Sequence, residues 1–305
     1  MITSTSNQNV KEVVQLRKKS KARSQAGVFL VEGIRMVQEA PRGQLVKLYV
    51  TEGFYQRHKE ELGIQIIGDS RGKQSHLRAE DTGGRTFCAE LVSDNVFEYM
   101  SDTKTPQGVL GIVKQAKYSL EEILGGNVTG TGGAVPKQAA RGMHRSAPHL
   151  AVLDNLQDPG NLGTIFRTAE AAGVTGIVMS KDCVDIYNPK TIRSTMGAIY
   201  RMPFLYVEDL KETIDTLKKT GIRIYAAHLD GKNAYDQEDY RGGTAFLIGN
   251  EGNGLRREIA DSADAWIQIP MAGQAESLNA AVAAAILMFE ASRQRRENQR
   301  LTGSE

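Results

Sequence analysis

Residues 149–180 have the sequence HLAVLDNLQDPGNLGTIFRTAEAAGVTGIVMS, in which two apolar stretches flank a helical pattern. The stretches HLAVLD and GIVMS are short and apolar, which predicts buried strands. Between them, apolar residues recur at helical spacing, at Leu162, Ile165, Phe166, Ala169 and Ala172. We therefore expect a helix over residues 162–172, capped by Asn161 and ended by Gly173, with Arg167 facing away from the sheet.

The same alternation of strands and helices continues downstream of this segment. The apolar stretches FLYV, IRIYAAH, TAFLIG and AWIQIP follow, with helical stretches between most of them. Such alternation predicts an α/β fold with a parallel sheet covered by helices on both faces. Ligands of such sheets bind beyond the carboxyl ends of the strands, so we expect the site in the loops after Asp154, Ala227, Ile248 and Ile269.

Three further segments complete the predicted domain organisation. Residues 1–116 mix a helical stretch, VKEVVQLRKKSKARS, with the strand patterns FLVEG, KLYVTEG, TFCAELV and GVLGIV, and predict a small α/β module. Residues 117–148 include GGNVTGTGGAVPKQAARGMHRSAP and are interpreted as a flexible linker. Residues 149–297 form the α/β domain, and residues 298–305 form a tail.

Composition excludes several classes of protein. With 305 residues, 40% hydrophobic and 24% charged, the chain has ordinary globular content. The longest apolar run, residues 278–291, is shorter than the ~20 residues that span a membrane, and the N-terminus has no apolar signal core. Cys88 and Cys183 are far apart, which argues against a zinc site or disulfides. We expect a soluble, cytoplasmic protein.

Positive charge is concentrated near the N-terminus, although the formal net charge is only +2. The basic residues of this cluster are Lys11, Arg17, Lys18, Lys19, Lys21, Arg23 and Arg35. Such a cluster suits contacts to nucleic-acid phosphates. A solvated helix face is the alternative.

The segment TAFLIGNEGNGL combines a buried strand with a glycine-rich loop, after which we expect a helix near Leu255. Glycines allow a close approach of backbone to a ligand. The spacing is GxxGxG rather than GxGxxG, and Glu251 would repel a phosphate. The loop therefore favours a cationic or hydroxyl-bearing ligand, with a plain turn as the alternative.

The segment IPMAGQAESLNAAVAAAILMFEASRQRR predicts a strand that ends at Pro270, a loop, and an Ala-rich helix. We expect the helix to open at Ser277, Leu278 and Asn279, with Ser277 as its N-cap and Asn279 in its first turn. Because the helix is apolar nearly all round, it belongs in the domain core or at a subunit interface.

Three motifs, in this order and spacing, resemble the signature motifs of the SpoU class of the SPOUT superfamily, the RNA ribose 2'-O-methyltransferases. They are NLGTIFRTAEAAG, with Asn161 and Arg167; IGNEGNG, with Gly249 and Glu251; and the SLN of the last segment. The resemblance covers roughly residues 149–296, and residues 1–116 are more loosely similar to the ribosomal-protein-like RNA-binding domain of many members. It implies a trefoil-knotted domain, S-adenosyl-L-methionine as cofactor, an RNA substrate, ribosomal in preference to transfer RNA, and a homodimer paired through the last helix.

The resemblance also implies roles for individual residues, and no metal. The implied cofactor-binding residues are Ala227, His228, Leu229, Ile248, Gly249, Asn250, Gly252, Ile269, Pro270, Met271, Ser277 and Leu278. The implied catalytic residue is Arg167, with Glu251 and Asn279 orienting it and the ribose, and Asn161 and Ser277 supporting the loops. A guanidinium stays protonated, so Arg167 is expected to orient the RNA phosphate and stabilise the developing alkoxide. Within the N-terminal module, the candidate phosphate contacts are Lys18, Lys19, Arg23 and Arg35.

Three alternatives stay open at this point. One is methylation of a base nitrogen, as in other SPOUT branches. Another is a catalytically silent RNA-binding or ribosome-assembly factor that keeps the fold. The weakest is a nucleotide-dependent oxidoreductase, which would need an acidic residue at the end of the next strand, where AWIQIP has Pro270.

Overall fold

The computed structural model describes residues 1–41, 43–62, 64–67, 77–81, 86–124 and 147–302. Most of the predicted linker and the last three residues lie outside this range. The helices are α1 Gln8–Lys18, α2 Ser20–Ala26, α3 Ile34–Glu39, α4 Glu52–Leu62, α5 Asp94–Met100, α6 Leu120–Ile123, α7 Pro159–Ala172, α8 Pro189–Thr195, α9 Leu210–Lys219, α10 Arg257–Ala260 and α11 Ala280–Thr302. The strands are β1 Val28–Glu32, β2 Leu45–Thr51, β3 Ile64–Ile67, β4 Leu77–Asp81, β5 Thr86–Val92, β6 Val109–Lys114, β7 His149–Leu153, β8 Gly176–Ser180, β9 Phe204–Val207, β10 Arg223–Ala227, β11 Asn233–Ala234, β12 Thr244–Ile248 and β13 Ala265–Gln268.

Backbone contacts divide the chain into two compact units. The first comprises Met1–Ala116 and Tyr187–Tyr200, and the second comprises Lys117–Ile186 and Arg201–Glu305. The predicted boundaries differ from this division because they place residues 187–200 in the α/β domain. Within the first unit, α8 packs on β1, and the rings of Phe29 and Tyr187 lie 4.8 Å apart.

The first unit is built on a mixed sheet. Its described strands have the order β1-β6-β2-β5-β4-β3, with β2 and β5 parallel and the other neighbours antiparallel. Helix α1 packs on α5, and its buried residues Val10, Val13 and Leu16 follow one face of the helix. The expected small α/β module is thus present.

A single helix was predicted over VKEVVQLRKKSKARS, but the helix is interrupted at Lys19, which has an extended backbone and separates α1 from α2. Arg23 folds back across the break, and its Nη1 donates to the carbonyl oxygens of Leu16 (2.6 Å) and Arg17 (3.1 Å). The last carbonyls of a helix have no partner within it, so Arg23 stabilises the end of α1.

The second unit contains a parallel sheet, as predicted. In the described chain its strand order is β11-β13-β10-β12-β7-β8-β9, with parallel pairing throughout. Strands β7, β8 and β12 are buried along their whole length, which agrees with helices on both faces. Leu153 pairs with Ile248, so the loops after β7 and β12 leave the same edge of the sheet side by side.

Several element boundaries differ from the predictions. Helix α7 begins at Pro159 and is capped by Asp158, whose Oδ1 accepts from the Asn161 backbone N–H at 2.8 Å, so the expected cap by Asn161 is wrong. Its end at Gly173, with φ of 73°, is as predicted. Helix α10 begins at Arg257 rather than near Leu255, and β13 ends at Gln268, before Pro270.

Helix α11 begins at Ala280 and continues to Thr302, so residues 298–302 of the predicted tail are helical. Asn279 is its N-cap: its Oδ1 accepts from the N–H groups of Ala281 (2.9 Å) and Val282 (3.3 Å), which corrects the expected cap by Ser277. One face of α11 is buried, through Ala281, Ala284, Leu287, Met288 and Ala291, and α11 packs on α7. Val282 and Phe289, on another face, are 47% and 44% exposed.

In the part of the chain that the structure describes, no helix combines the length and apolarity needed to cross a membrane. Both cysteines are free thiols, and Cys183 is buried. Burial raises the pKa of the Cys183 thiol, so this side chain stays protonated and packs as a small apolar group.

Candidate active site

A cavity of about 470 Å³ lies at the carboxyl edge of the second unit's sheet. Its walls are the segments that follow β10, β12 and β13, together with the first turns of α11. The predicted cofactor residues that line it are Ala227, His228, Leu229, Ile248, Gly249, Asn250, Gly252, Ile269, Met271, Ser277 and Leu278. Pro270 is not in its wall. The volume falls within the range of small-molecule sites.

The cavity wall is apolar and acidic. Ile248, Ile269 and Leu278 supply apolar surface, and three carboxylates also line it, at Asp230, Glu251 and Glu276. Among the described residues of the wall there is no lysine or arginine. This surface suits a ligand with an apolar body and a positive charge, and it disfavours a phosphate.

Residues 249–255 form a loop that closes on itself. Asn250 and Gly254 exchange two backbone hydrogen bonds of 2.9 Å, and the Asn250 side-chain oxygen accepts from the N–H groups of Gly252 and Asn253. A Cβ on Gly249 would lie 2.2 Å from the Gly254 carbonyl carbon. Gly249 is therefore required because the end of the loop packs directly against its backbone. The sequence analysis expected this glycine to allow a close approach of a ligand, and did not predict this contact within the loop.

The Glu251 carboxylate holds this loop against the segment between β7 and α7. It accepts hydrogen bonds from the N–H of Gln157 (3.0 Å), the N–H of Asp158 (2.9 Å) and the Nδ2 of Asn161 (3.0 Å). Partial burial opposes ionisation, but these hydrogen bonds outweigh it and lower the pKa of Glu251. Glu251 is thus a fixed negative charge at neutral pH.

Asn279 joins the third motif to the other two. Its side-chain oxygen caps α11, which leaves its Nδ2 to donate to Asn161 Oδ1 at 2.9 Å. Asn161 in turn donates through Nδ2 to Glu251. The two amides are therefore oriented by the helix cap at one end and by the carboxylate at the other. We call this chain of hydrogen bonds, Asn279 to Asn161 to Glu251, the motif network.

Arg167 and Ser277 lie outside the motif network. Arg167 is exposed on α7, opposite the buried stripe as predicted, and its guanidinium has no hydrogen bond or ion pair with a described residue. Ser277 is exposed in the loop before α11 and lines the cavity. The structure thus joins three of the five predicted catalytic residues but, contrary to expectation, Glu251 and Asn279 do not contact Arg167. The catalytic roles of all five residues stay predictions.

The predicted phosphate contacts are divided by the structure. Lys18, Lys19 and Arg35 are exposed and have no side-chain partner among the described residues. Arg23 is 4% exposed and is committed to the carbonyls at the end of α1, so its prediction as a phosphate contact is wrong. Arg17 is also engaged, with the carbonyls of Tyr99 and Ser101.

Sequence reasoning missed two contacts that support the site, although it named Asn250 as a cofactor residue. The Nδ2 of Asn250 donates to the carbonyl of Asn155 at 2.8 Å, and Arg256 forms an ion pair with the buried Asp154. The sequence signal for these two contacts is that their residues lie just after strands β7 and β12, which are neighbours in the sheet. Within the described residues no group of three His, Cys, Asp or Glu side chains is arranged to hold a metal ion.

Comparison with known proteins gives two family models. Residues 148–289 match the SpoU rRNA methylase family, and residues 7–111 match the MRM3-like substrate binding domain. The chain is 30% identical to an uncharacterized tRNA/rRNA methyltransferase of Synechocystis sp. over 96% of this chain and 93% of the relative. It is 29% identical to the 23S rRNA (guanosine(2553)-2'-O)-methyltransferase RlmP of Bacillus subtilis over 94% of this chain and 97% of the relative.

Solved structures extend the likeness to the whole fold. An RNA 2'-O ribose methyltransferase matches with a TM-score of 0.72 and 27% identity, over 97% of this chain and 99% of the other. An AdoMet-bound rRNA methyltransferase from Sinorhizobium meliloti matches with a TM-score of 0.72 and 28% identity, over 96% and 97%.

The parallel sheet with a cavity at its carboxyl edge, together with the matched family models and relatives, identifies an RNA methyltransferase of the SPOUT class. Within that class, the chain belongs to the SpoU rRNA methylase family. The family resemblance drawn from the three sequence motifs is thereby confirmed.

Proposed function

We propose that this protein transfers a methyl group from S-adenosyl-L-methionine to a ribose 2'-hydroxyl of ribosomal RNA. The observation that carries the proposal is the motif network, which joins Asn161, Glu251 and Asn279 beside the acidic cavity. Similarity over nearly the full length to a 23S rRNA 2'-O-methyltransferase supports the choice of ribosomal over transfer RNA.

The cavity fits the proposed cofactor. When bound, S-adenosyl-L-methionine supplies a methyl group on a positively charged sulfur, and the carboxylates of Asp230, Glu251 and Glu276 favour a cation there. Apolar residues of the wall, such as Ile248 and Leu278, would pack on its uncharged parts. Loss of the positive charge on methyl transfer weakens this attraction, which favours release of the product.

Methyl transfer requires a nucleophilic oxygen in line with the methyl group, because the new O–C bond forms as the C–S bond breaks. Rigid support of the site therefore contributes much of the catalysis. Glu251 serves this positioning: its carboxylate is held by three donors and its pKa is lowered, so it is a poor proton acceptor. The proton that the ribose 2'-hydroxyl releases on methylation is proposed to pass to a water molecule.

Arg167 is the group that we propose to contact the RNA at the reacting ribose. Its guanidinium carries no internal partner in the described chain, so its donors are available for an RNA phosphate and for the developing alkoxide. Ser277, in the cavity wall, is proposed to support the loop before α11.

The first unit is proposed to select the RNA. Its exposed cations Lys18, Lys19 and Arg35 provide candidate phosphate contacts, whose contribution would fall as salt rises. The match of residues 7–111 to a substrate binding domain supports this role.

Quaternary structure and location belong to the same proposal. The apolar face of α11 that carries Val282 and Phe289 supports a homodimer through this helix. We also propose that the α/β domain contains a trefoil knot and that the protein is cytoplasmic. Light scattering after gel filtration tests the dimer: Phe289→Asp should convert it to a monomer, and a wild-type monomer would contradict it.

Identification of the labelled nucleoside tests the proposed reaction. The purified protein is incubated with methyl-labelled S-adenosyl-L-methionine and with unmodified ribosomal RNA or transfer RNA in separate reactions. Enzymatic digestion and mass spectrometry should find a 2'-O-methylnucleoside from ribosomal RNA. A base-methylated nucleoside would indicate the base-nitrogen alternative, and binding of RNA without any transfer would indicate a silent RNA-binding factor.

A further inference from the structure

Asp154 is a fully buried carboxylate at the first position after β7. A single residue, Arg256, meets both of its oxygens. The Arg256 side chain donates to Oδ1 through Nε (2.8 Å) and Nη2, and the Arg256 backbone N–H donates to Oδ2 at 2.9 Å. The Arg256 side chain itself is 40% exposed and does not line the cavity.

Arg256 stands at the end of the loop formed by residues 249–255. At the start of the same loop, the Asn250 side chain donates to the carbonyl of Asn155 at 2.8 Å. Both ends of the loop are therefore tied to two consecutive residues, Asp154 and Asn155, and Glu251 lies between the two ties. Together, these two attachments fix the distance between the loop and the segment that joins β7 to α7.

A further contact extends this attachment to the next strand. Arg256 Nη1 lies 3.3 Å from Asp182 Oδ2, just beyond β8, and Gln157 donates to the Asp182 carbonyl at 2.6 Å. The guanidinium thus connects the segments after β7, β8 and β12. These three strands are neighbours in the sheet, in the order β12-β7-β8.

We propose that Arg256 is a positioning residue for the cofactor, acting through its ion pair with Asp154 to hold residues 249–255 where Glu251 meets Gln157, Asp158 and Asn161. This inference rests on the proposed function for the identity of the ligand. Arg256 touches neither the cavity nor the motif network, so it acts only through the loop.

The chemistry requires arginine at this position. A guanidinium presents several donors in a fixed planar fork, whereas a lysine ammonium is a point charge that cannot reproduce that geometry. Arg256→Lys therefore keeps the charge next to Asp154 but loosens the loop. Arg256→Gln leaves the Asp154 carboxylate buried without a compensating charge.

The experiment compares Arg256→Lys, Arg256→Gln and the double variant Asp154→Asn/Arg256→Gln with the wild type. The matched control is Arg241→Gln, because Arg241 forms a similar two-contact pair with Asp239 at the surface, away from the cavity. Three quantities are measured: the dissociation constant for S-adenosyl-L-methionine by calorimetry, the melting temperature, and amide hydrogen exchange of residues 249–256 in the free protein.

We expect Arg256→Gln to raise the dissociation constant at least about tenfold and Arg256→Lys to raise it by about three- to tenfold. In both variants the Gly252 and Asn253 amides should exchange faster. The double variant should recover the melting temperature, because no unpaired buried charge remains, while its dissociation constant stays raised. Arg241→Gln should bind as the wild type does.

Two results would overturn the inference. One is an unchanged dissociation constant for S-adenosyl-L-methionine in both Arg256→Lys and the double variant. The role of Arg256 would then be only to neutralise the buried charge of Asp154. The other is unchanged amide exchange of the loop in all Arg256 variants. If the wild type itself failed to bind S-adenosyl-L-methionine, the proposed function would fail, and the exchange measurement would still decide whether Arg256 holds the loop.

Discussion

Replacing Glu251 with glutamine removes one charge from the motif network without changing its shape. In the structure, Oε1 accepts from the Asp158 N–H and from Asn161 Nδ2, and Oε2 accepts from the Gln157 N–H. A glutamine amide can keep the first two hydrogen bonds in neutral form, but its NH2 group would face the Gln157 donor. One hydrogen bond is lost and two are weakened.

The magnitude follows from these three bonds. A hydrogen bond to a charged group contributes roughly 1.5–3 kcal/mol and a neutral one roughly 0.5–1.5 kcal/mol. Because Glu251 is partly exposed, solvent reduces the difference, and we expect a total loss of about 2 kcal/mol in the positioning of the loop. At 1.4 kcal/mol per factor of ten, kcat/KM for methyl transfer should fall about 30-fold.

Glu276→Gln is the matched control for this prediction. Glu276 also lines the cavity, but its carboxylate has no hydrogen bond with a described residue. This variant removes the same charge and leaves the motif network intact, so kcat/KM should fall less than about threefold. Equal losses in the two variants, measured by initial rates with labelled S-adenosyl-L-methionine, would show that charge rather than positioning explains the effect.

Three further predictions address other parts of the site. Arg167→Ala should abolish methyl transfer and leave the dissociation constant for S-adenosyl-L-methionine within about twofold by calorimetry, because Arg167 lies outside the cavity wall; retained turnover would contradict its assignment. Gly249→Ala should lower the melting temperature and abolish cofactor binding, because its Cβ would overlap the Gly254 carbonyl carbon, whereas Gly242→Ala, whose Cβ meets nothing within 4 Å, should be silent in both assays. Burial lowers the pKa of His149 to about 3, below the ordinary 6.5, so the unfolded chain binds the proton first and stability falls as pH drops from 6.5 towards 3. About 2 kcal/mol should be lost by about pH 5 in urea titrations, and His149→Phe should flatten this dependence; an unchanged slope would exclude His149 as its source.

Periodicity predicted the second unit's sheet, because strands buried on both faces leave continuous apolar runs such as HLAVL and TAFLI. The order of those strands is a different matter. Strand β10 lies between β12 and β13, and β12 lies beside β7, and these pairings join residues far apart in sequence. The ion pair of Asp154 with Arg256 depends on that order, which explains why it could not be predicted.

The motifs predicted that Asn161, Glu251 and Asn279 lie close together, but not how they bond. Asp158 and Asn161 are both good N-cap residues, and the choice depends on the backbone at the start of α7, where Asp158 is extended. The same applies to Ser277 and Asn279 before α11. Once Asn279 caps the helix, its amide nitrogen is left to face Asn161, and the motif network follows.

Charge alone could not separate structural from RNA-facing cations. One basic stretch contains Arg17, Lys18, Lys19 and Arg23. Of these, Arg17 and Arg23 donate hydrogen bonds to backbone carbonyls. For Arg23 the contact arises from the break at Lys19, which exposes the last carbonyls of α1, whereas Arg17 donates to carbonyls at the end of α5. A long arginine side chain next to a helix end is therefore weak support for a phosphate contact.

Alkaline hydrolysis of the labelled RNA shows whether the transferred methyl group is on the ribose or on a base. Ribosomal RNA labelled by the wild-type protein is hydrolysed in alkali, which cleaves next to a free 2'-hydroxyl and spares the bond next to a methylated one. We expect label in alkali-resistant dinucleotides with the wild type and its loss with Asn161→Ala, which breaks the motif network at its centre. Label recovered in single nucleotides would place the methyl group on a base and contradict the claim.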